Sequence, residues 1–323
     1  MNERKGLLSS GLGMVLRNKR YIFWFWLLNL TLAEFGTSAF RKSAHAVLDH
    51  SLAGGRLVHG FDLTVMLDLF SRPEFGSMSA MTTPALYFGF LFFLATALFL
   101  PGVFQGYAST YRLPREDFFR ACGRNLWRFI RLMLIAGIVM GIVTGLLFSL
   151  HGVLERKAGE STNELLSPEV RFIGLFVIFL IMTVFRIWFD LAEADIVLSD
   201  QRAVRKSIAA GFRHTFRGFF RLLTSYLVAT IFAAIILVGG IWLWMKAVAP
   251  ESVLGAFLIG QLILILLLIP RFWQRGVVVS YWQQKMMVPV AQVIPTEPQP
   301  VAVAVVPEPA PVVPNPPPAT QGS

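Results

Sequence analysis

The sequence predicts an all-α membrane protein: a polytopic bundle of six transmembrane helices arranged as three hairpins, with amphipathic interfacial helices on the cytoplasmic side. Three observations predict it. Hydrophobic residues make up 55% of the 323-residue chain and charged ones only 15%, at a mean hydropathy of +0.62, whereas soluble domains carry roughly 25% charged residues. The apolar residues gather into runs close to the ~20 that a helix needs to cross a ~30 Å hydrocarbon layer. Lys and Arg collect between alternate runs, on one side of the proposed bilayer.

The first span is expected over about 21–40, opening on the aromatic cluster Tyr21, Phe23, Trp24, Phe25 and Trp26. The others follow over 85–107, 129–150, 172–191, 222–245 and 253–269. Twenty Lys and Arg fall before span one, after spans two and four, and after span six, against eight in the opposite segments. That imbalance places both termini in the cytoplasm, as in a bacterial inner-membrane protein, and an even number of crossings agrees with it. The net charge of +10 is then the excess of cytoplasmic cations rather than a sign of nucleic acid. A rival reading makes span one a cleaved leader, with Ala44-His45-Ala46 as the small-residue site, but Glu34 interrupts its apolar stretch.

Each odd span is preceded by a basic, partly apolar segment. At about 100° per residue, Arg120, Arg124, Arg128 and Arg131 share a face opposite Phe118, Cys122, Leu126 and Phe129. Arg202, Lys206, Arg213, Arg217 and Arg221 do the same opposite Ile208, Phe212, Phe216 and Phe219. The leader with Leu8, Leu12, Val15 and Leu16 is a weaker version. Helices of this kind lie in the interface plane, with Arg120, Arg124, Arg128, Arg202, Lys206, Arg213 and Arg217 meeting anionic headgroups of the bilayer. Specific lipid recognition is the sharper alternative. A base-stacking groove is disfavoured because Phe and Arg segregate to opposite faces.

Within the bilayer, small residues let helices approach closely. Gly137, Gly141 and Gly145 form two overlapping GxxxG steps and are the expected packing strip of span three. Pro101-Gly102 predicts a kink in span two, and Pro270 the end of span six. The single cysteine, Cys122, excludes an intramolecular disulfide and reads as packing. Ionisable residues inside spans are costly and mark candidate sites. Here they are Glu34 in span one and the i,i+4 pair Arg186 and Asp190 in span four, with Glu193 and Asp195 beyond. Glu34 is a proton or cation site on a transporter reading. On the plainer one, Arg186 snorkels and the acids neutralise the basic helices.

The outer loop, about 41–84, holds His45, Asp49, His50, His59 and Asp62 among apolar residues such as Leu48, Leu52, Val58 and Phe61. His50, His59 and Asp62 are the weak metal candidates, although their spacing fits no HExxH or Cys/His framework. One or two helices lying on the outer membrane face is the plainer expectation. Residues 288–323 carry eleven of the 18 prolines and read as a disordered cytoplasmic tail, either a spacer or a docking strip for a protein partner.

The stretch 191–223, LAEADIVLSDQRAVRKSIAAGFRHTFRGFFRLL, resembles the join in poorly characterised bacterial membrane families, including the membrane domain found beside some glycerophosphodiester phosphodiesterases. In these a span ends in an acidic turn, here Asp195 to Asp200, and a basic amphipathic helix leads into the next span. The resemblance covers about a tenth of the chain and implies a multi-span bacterial protein without a catalytic domain of its own.

The chain carries no Walker loop, GxSxG, HExxH or paired-Cys motif, so no cofactor is expected and no catalytic residue is named. The leading expectation is a non-catalytic membrane scaffold or assembly factor. A secondary transporter or lipid-handling protein is the first alternative, and a membrane enzyme using the outer-loop His/Asp residues the second.

Overall fold

The computed structural model describes residues 6–38, 41–42, 45, 64, 67, 78–160, 166–249 and 252–286, with side chains from residue 86 onward in the helix that begins at 78. Among these there is no strand. The helices are α1 (Leu7–Arg17), α2 (Arg20–Gly36), α3 (Met78–Ala108), α4 (Arg115–Gly159), α5 (Leu166–Leu198), α6 (Val204–Arg217), α7 (Phe219–Ala247) and α8 (Val253–Tyr281). A π-turn over Trp282–Met286 continues α8. The tail 288–323 and the expected outer-loop helices lie outside the described residues, as do His50, His59 and Asp62.

Five helices, α3, α4, α5, α7 and α8, are long and apolar enough to cross a membrane. The expected first span, α2, has 17 helical residues, about 26 Å at 1.5 Å per residue. This is a little short of the hydrocarbon thickness.

Three expectations are corrected. The basic stretch before span three is not a separate interfacial helix, because α4 is one rod of 45 residues, about 68 Å long. Nothing between Arg115 and Gly159 breaks it: the segment has no proline, and Gly123 meets no neighbour that would force a turn. At the corresponding join between α6 and α7 the chain does break, at Gly218, where a Cβ would lie 2.7 Å from the Tyr281 hydroxyl.

Second, Pro270 does not end the last span. The helix continues to Tyr281, and Phe272 and every residue from Gln274 to Tyr281 are buried. A mid-helix proline costs about 3 kcal/mol, and that continuous packing outweighs it.

Third, Gly137, Gly141 and Gly145 pack no neighbouring helix: a Cβ on any of them would meet nothing within 4 Å among the described residues. The glycines that admit close approaches are elsewhere. At Gly102 a Cβ would lie 2.5 Å from the Phe118 ring. At Gly211 it would lie 2.8 Å from the Trp188 carbonyl, and at Gly276 2.5 Å from that of Gly11.

The core sits at the end of the bundle that carries the arginines. It gathers Tyr21, Leu100, Phe104, Phe129, Leu191, Leu222, Tyr226 and Phe272 from α2, α3, α4, α5, α7 and α8. Helix α8 is its axis, lying against α1, α2, α3, α5 and α7. Helix α1 therefore does not float on a surface; Leu7, Gly11 and Val15 are buried in its crossing with α8. Toward the other end the helices are uncovered. Only 6% of the most apolar stretch of α4, and of α7, is buried, against 33% in α3.

Candidate functional site

Charged side chains converge where α5, α7 and α8 meet at the basic end. Helix α5 supplies Arg186 and, one turn later, Asp190. The expected i,i+4 pair is formed, with Arg186 Nε 3.8 Å from Asp190 Oδ2. The other partner of that carboxylate was not foreseen: the buried Tyr226 of α7 donates its hydroxyl to Asp190 Oδ2 at 2.6 Å. One turn further on, Glu193 is 8% exposed, and Arg275 of α8 is equally buried. Glu193 lies within electrostatic reach of Arg275, Asp190, Arg186 and Arg271. The cluster thus holds three cations and two carboxylates, an arrangement in which burial is tolerable because each carboxylate has cations around it.

Polar bonds around the cluster link the same helices. Gln274 Nε2 donates to Thr230 Oγ1 at 3.2 Å, and Trp282 Nε1 donates to Asp195 Oδ1 at 3.3 Å. The Arg275 guanidinium stands 5.2 Å from the centre of the Phe272 ring. Beside it, a hollow lined by Asn29, Thr96, Arg271 and Arg275 has about 210 Å³ of space between atoms but is too narrow to admit a water molecule. Arg186 and Arg271 reach the surface while Glu193 and Arg275 are buried, and the Tyr226–Asp190 bond joins α7 to α5, so the cluster holds charge and fastens helices.

Glu34 is not part of this cluster. It is exposed at the far end of α2 and accepts a hydrogen bond from Arg41 at 2.6 Å. Of the ionisable residues expected within spans, Arg186 and Asp190 come together, and Glu34 stands apart from them. Glu193 and Arg275 take its place. Arg275 was hidden from sequence reasoning by Pro270, which ended span six before it; the run Val277-Val278-Val279 was the available sign that burial continues.

The six arginines and one lysine expected at headgroups divide into two groups. On α4, Arg128 reaches Asp200 at 2.7 Å, Arg124 the same carboxylate at 3.8 Å, and Arg120 the neighbouring Asp117 at 3.2 Å. These cations clamp the α5–α6 turn and their own first helical turn. Arg202, Lys206, Arg213 and Arg217, by contrast, are exposed at or on α6. That helix has three faces rather than two. Ser207, Gly211, His214 and Thr215 are buried, and the Trp188 indole of α5 donates to the Ile208 carbonyl at 2.8 Å. Phe212 and Phe216 form an exposed aromatic ridge. Cys122 is buried against the helix carrying Gly102, as packing requires.

Among the described residues, no group of three His, Cys, Asp or Glu side chains is placed to hold a metal ion. No protein-family model, curated protein or solved structure matches the chain.

Proposed function

We propose that this chain is a six-span inner-membrane protein, with both termini in the cytoplasm, that serves as a non-catalytic scaffold for other membrane segments. The observation that carries the reading is the contrast between its two ends. The basic end is held by a partly buried ionic cluster and a continuous core. The apolar ends of α4 and α7 have little cover, with Ile142 59% and Ile235 63% exposed. Where lipid is as apolar as the side chains, such surfaces gain from close helix packing rather than from burial. The Gly137, Gly141 and Gly145 strip lies on one of them, available to a helix from another chain. The twenty-to-eight bias of Lys and Arg supports the orientation, and α2 supplies the sixth crossing if the bilayer thins slightly around it. The likeness of 191–223 to membrane domains without catalytic parts agrees with this reading.

Photo-crosslinking residues placed at Ile142 and Ile235 test it in intact membranes. A scaffold gives the same discrete protein adduct from both positions. Adducts to lipid alone at both positions overturn the reading. A transporter reading draws on buried Glu193 and Arg275; it requires Glu193→Gln to abolish solute uptake by proteoliposomes while leaving those adducts unchanged.

A further inference from the structure

A second feature owes nothing to the ionic cluster. Between α2, the basic end of α3 and the start of α4 runs a groove of about 490 Å³, within the range of small-ligand sites, about 300–1,000 Å³. Its walls are apolar, with Trp24 and Leu28 of α2, Phe99 of α3 and Phe118 of α4 among them. It extends along α2 from Arg20 to Thr31, about 16 Å at 1.5 Å per residue. All of its charge is at one end, in Arg20, Arg112 and Arg115.

Those three guanidinium groups are short of partners. Arg20 donates to the Leu113 carbonyl at 2.8 Å and to the Tyr21 hydroxyl at 3.0 Å, while its buried Nε has none. Among the described residues, the guanidinium groups of Arg112 and Arg115 enter no hydrogen bond or ion pair. No carboxylate lines the groove: Asp117 is engaged by Arg120 at 3.2 Å, and Glu116 lies outside it. Elsewhere at this end arginines find acids, as Arg124 and Arg128 do at Asp200. The rim therefore presents planar donors suited to a phosphate, directly above an apolar channel that a free phosphate would leave empty.

We infer that the groove between α2, α3 and α4 is a binding site for one anionic glycerophospholipid of the adjoining leaflet, with its phosphate among Arg20, Arg112 and Arg115 and an acyl chain along Trp24 and Leu28. The site is separate from the proposed headgroup contacts of α6. It does not rest on the scaffold reading, since a lipid can occupy it whatever the outer helices bind. Charge complementarity selects the occupant: an apolar peptide would leave three cations unanswered, and a zwitterionic lipid would bring its own cation to them.

The test is native mass spectrometry of the full chain in detergent. It is titrated separately with phosphatidylglycerol, with phosphatidylcholine of the same acyl chains, and with glycerol 3-phosphate. Phosphatidylglycerol is expected to bind in preference to both. Losing two phosphate-facing cations, in Arg112→Gln/Arg115→Gln, weakens phosphatidylglycerol binding about thirtyfold. Arg131→Gln/Arg205→Gln removes the same charge from exposed positions of α4 and α6 and changes it by less than about twofold. Leu28→Trp, which fills the channel, displaces the lipid with all three arginines intact. If that variant fails to fold, the comparison of the two surface variants decides alone. Equal weakening by both double variants overturns the site in favour of general surface attraction. Undiminished binding by Arg112→Gln/Arg115→Gln also overturns it, and so does glycerol 3-phosphate binding as tightly as the lipid.

Discussion

Replacing Gly276 by Leu tests how the basic end is assembled. Helix α1 crosses α8 with backbone against backbone: a Cβ at Gly276 would stand 2.5 Å from the Gly11 carbonyl oxygen, and one at Gly11 2.7 Å from the Val277 nitrogen. Ordinary contact begins at 3.4 Å, so a single methyl group requires the helices to part by about 0.9 Å, and an isobutyl group by more. Overpacking of this kind costs about 1–3 kcal/mol. Parting the helices also strains two bonds across the crossing, Trp273 Nε1 to the Leu8 carbonyl at 2.8 Å and Ser280 Oγ to Ser10 Oγ at 2.7 Å. Undocked α1 can still lay Leu7 and Val15 on the membrane surface, so burial adds little resistance. The docked population should therefore fall roughly 5- to 150-fold. The adjacent serine hydroxyls provide the assay. Ser10→Cys/Ser280→Cys, in a chain whose native thiol is removed by Cys122→Ser, should close a disulfide readily, and adding Gly276→Leu should slow closure by at least about fivefold. An unchanged closure rate would refute the backbone contact between α1 and α8.

Two further outcomes follow from individual side chains. Tyr226→Phe removes the buried hydroxyl that donates to part-buried Asp190 at 2.6 Å; it should destabilise the detergent-solubilised chain by about 1.5–3 kcal/mol, the range for hydrogen bonds to charged groups. Adding Asp190→Asn should recover part of the loss, and wild-type stability for Tyr226→Phe would show that the bond contributes nothing. The imidazole of His214 in α6 is held below its ordinary pKa, first by burial and then by Arg213 and Arg217, with Asp195 of α5 opposing. The unfolded chain then binds the proton more readily than the folded one. This contribution is complete above the unfolded pKa of about 6.5 and is lost as pH falls through the lower folded value. Thermal unfolding across that window should show less pH dependence in His214→Gln than in the wild type, and identical profiles would contradict the assignment.

What could be read without coordinates was whatever depends on neighbours along the chain. The Arg186–Asp190 pair was legible because residues four apart share a helix face whatever surrounds them. The polar face of α6 was legible for the same reason, while its buried Ser207–Gly211–His214–Thr215 face was not, because burial of small and polar residues depends on Trp188 and Tyr281 from other helices. Proline and glycine misled in proportion to how far their effects depend on tertiary contacts. Pro270 weakens a helix locally, yet the packed stretch around Gly276 holds it. The GxxxG spacing of span three permits a close approach but supplies no partner, and the described residues bring none.

Composition and hydropathy by themselves determined that the chain is helical with long apolar segments, since a backbone in oil must satisfy its own hydrogen bonds within each helix. Tertiary structure alone decided that Glu193 and Arg275 face a common interior, that Glu34 turns away to Arg41, and that Arg20, Arg112 and Arg115 ring one groove. Glu193 and Arg275 lie 82 residues apart, and Arg20 lies 92 residues from Arg112 and 95 from Arg115. Only the crossing of helices, set by where side chains are small enough to allow contact, brings such distant positions together.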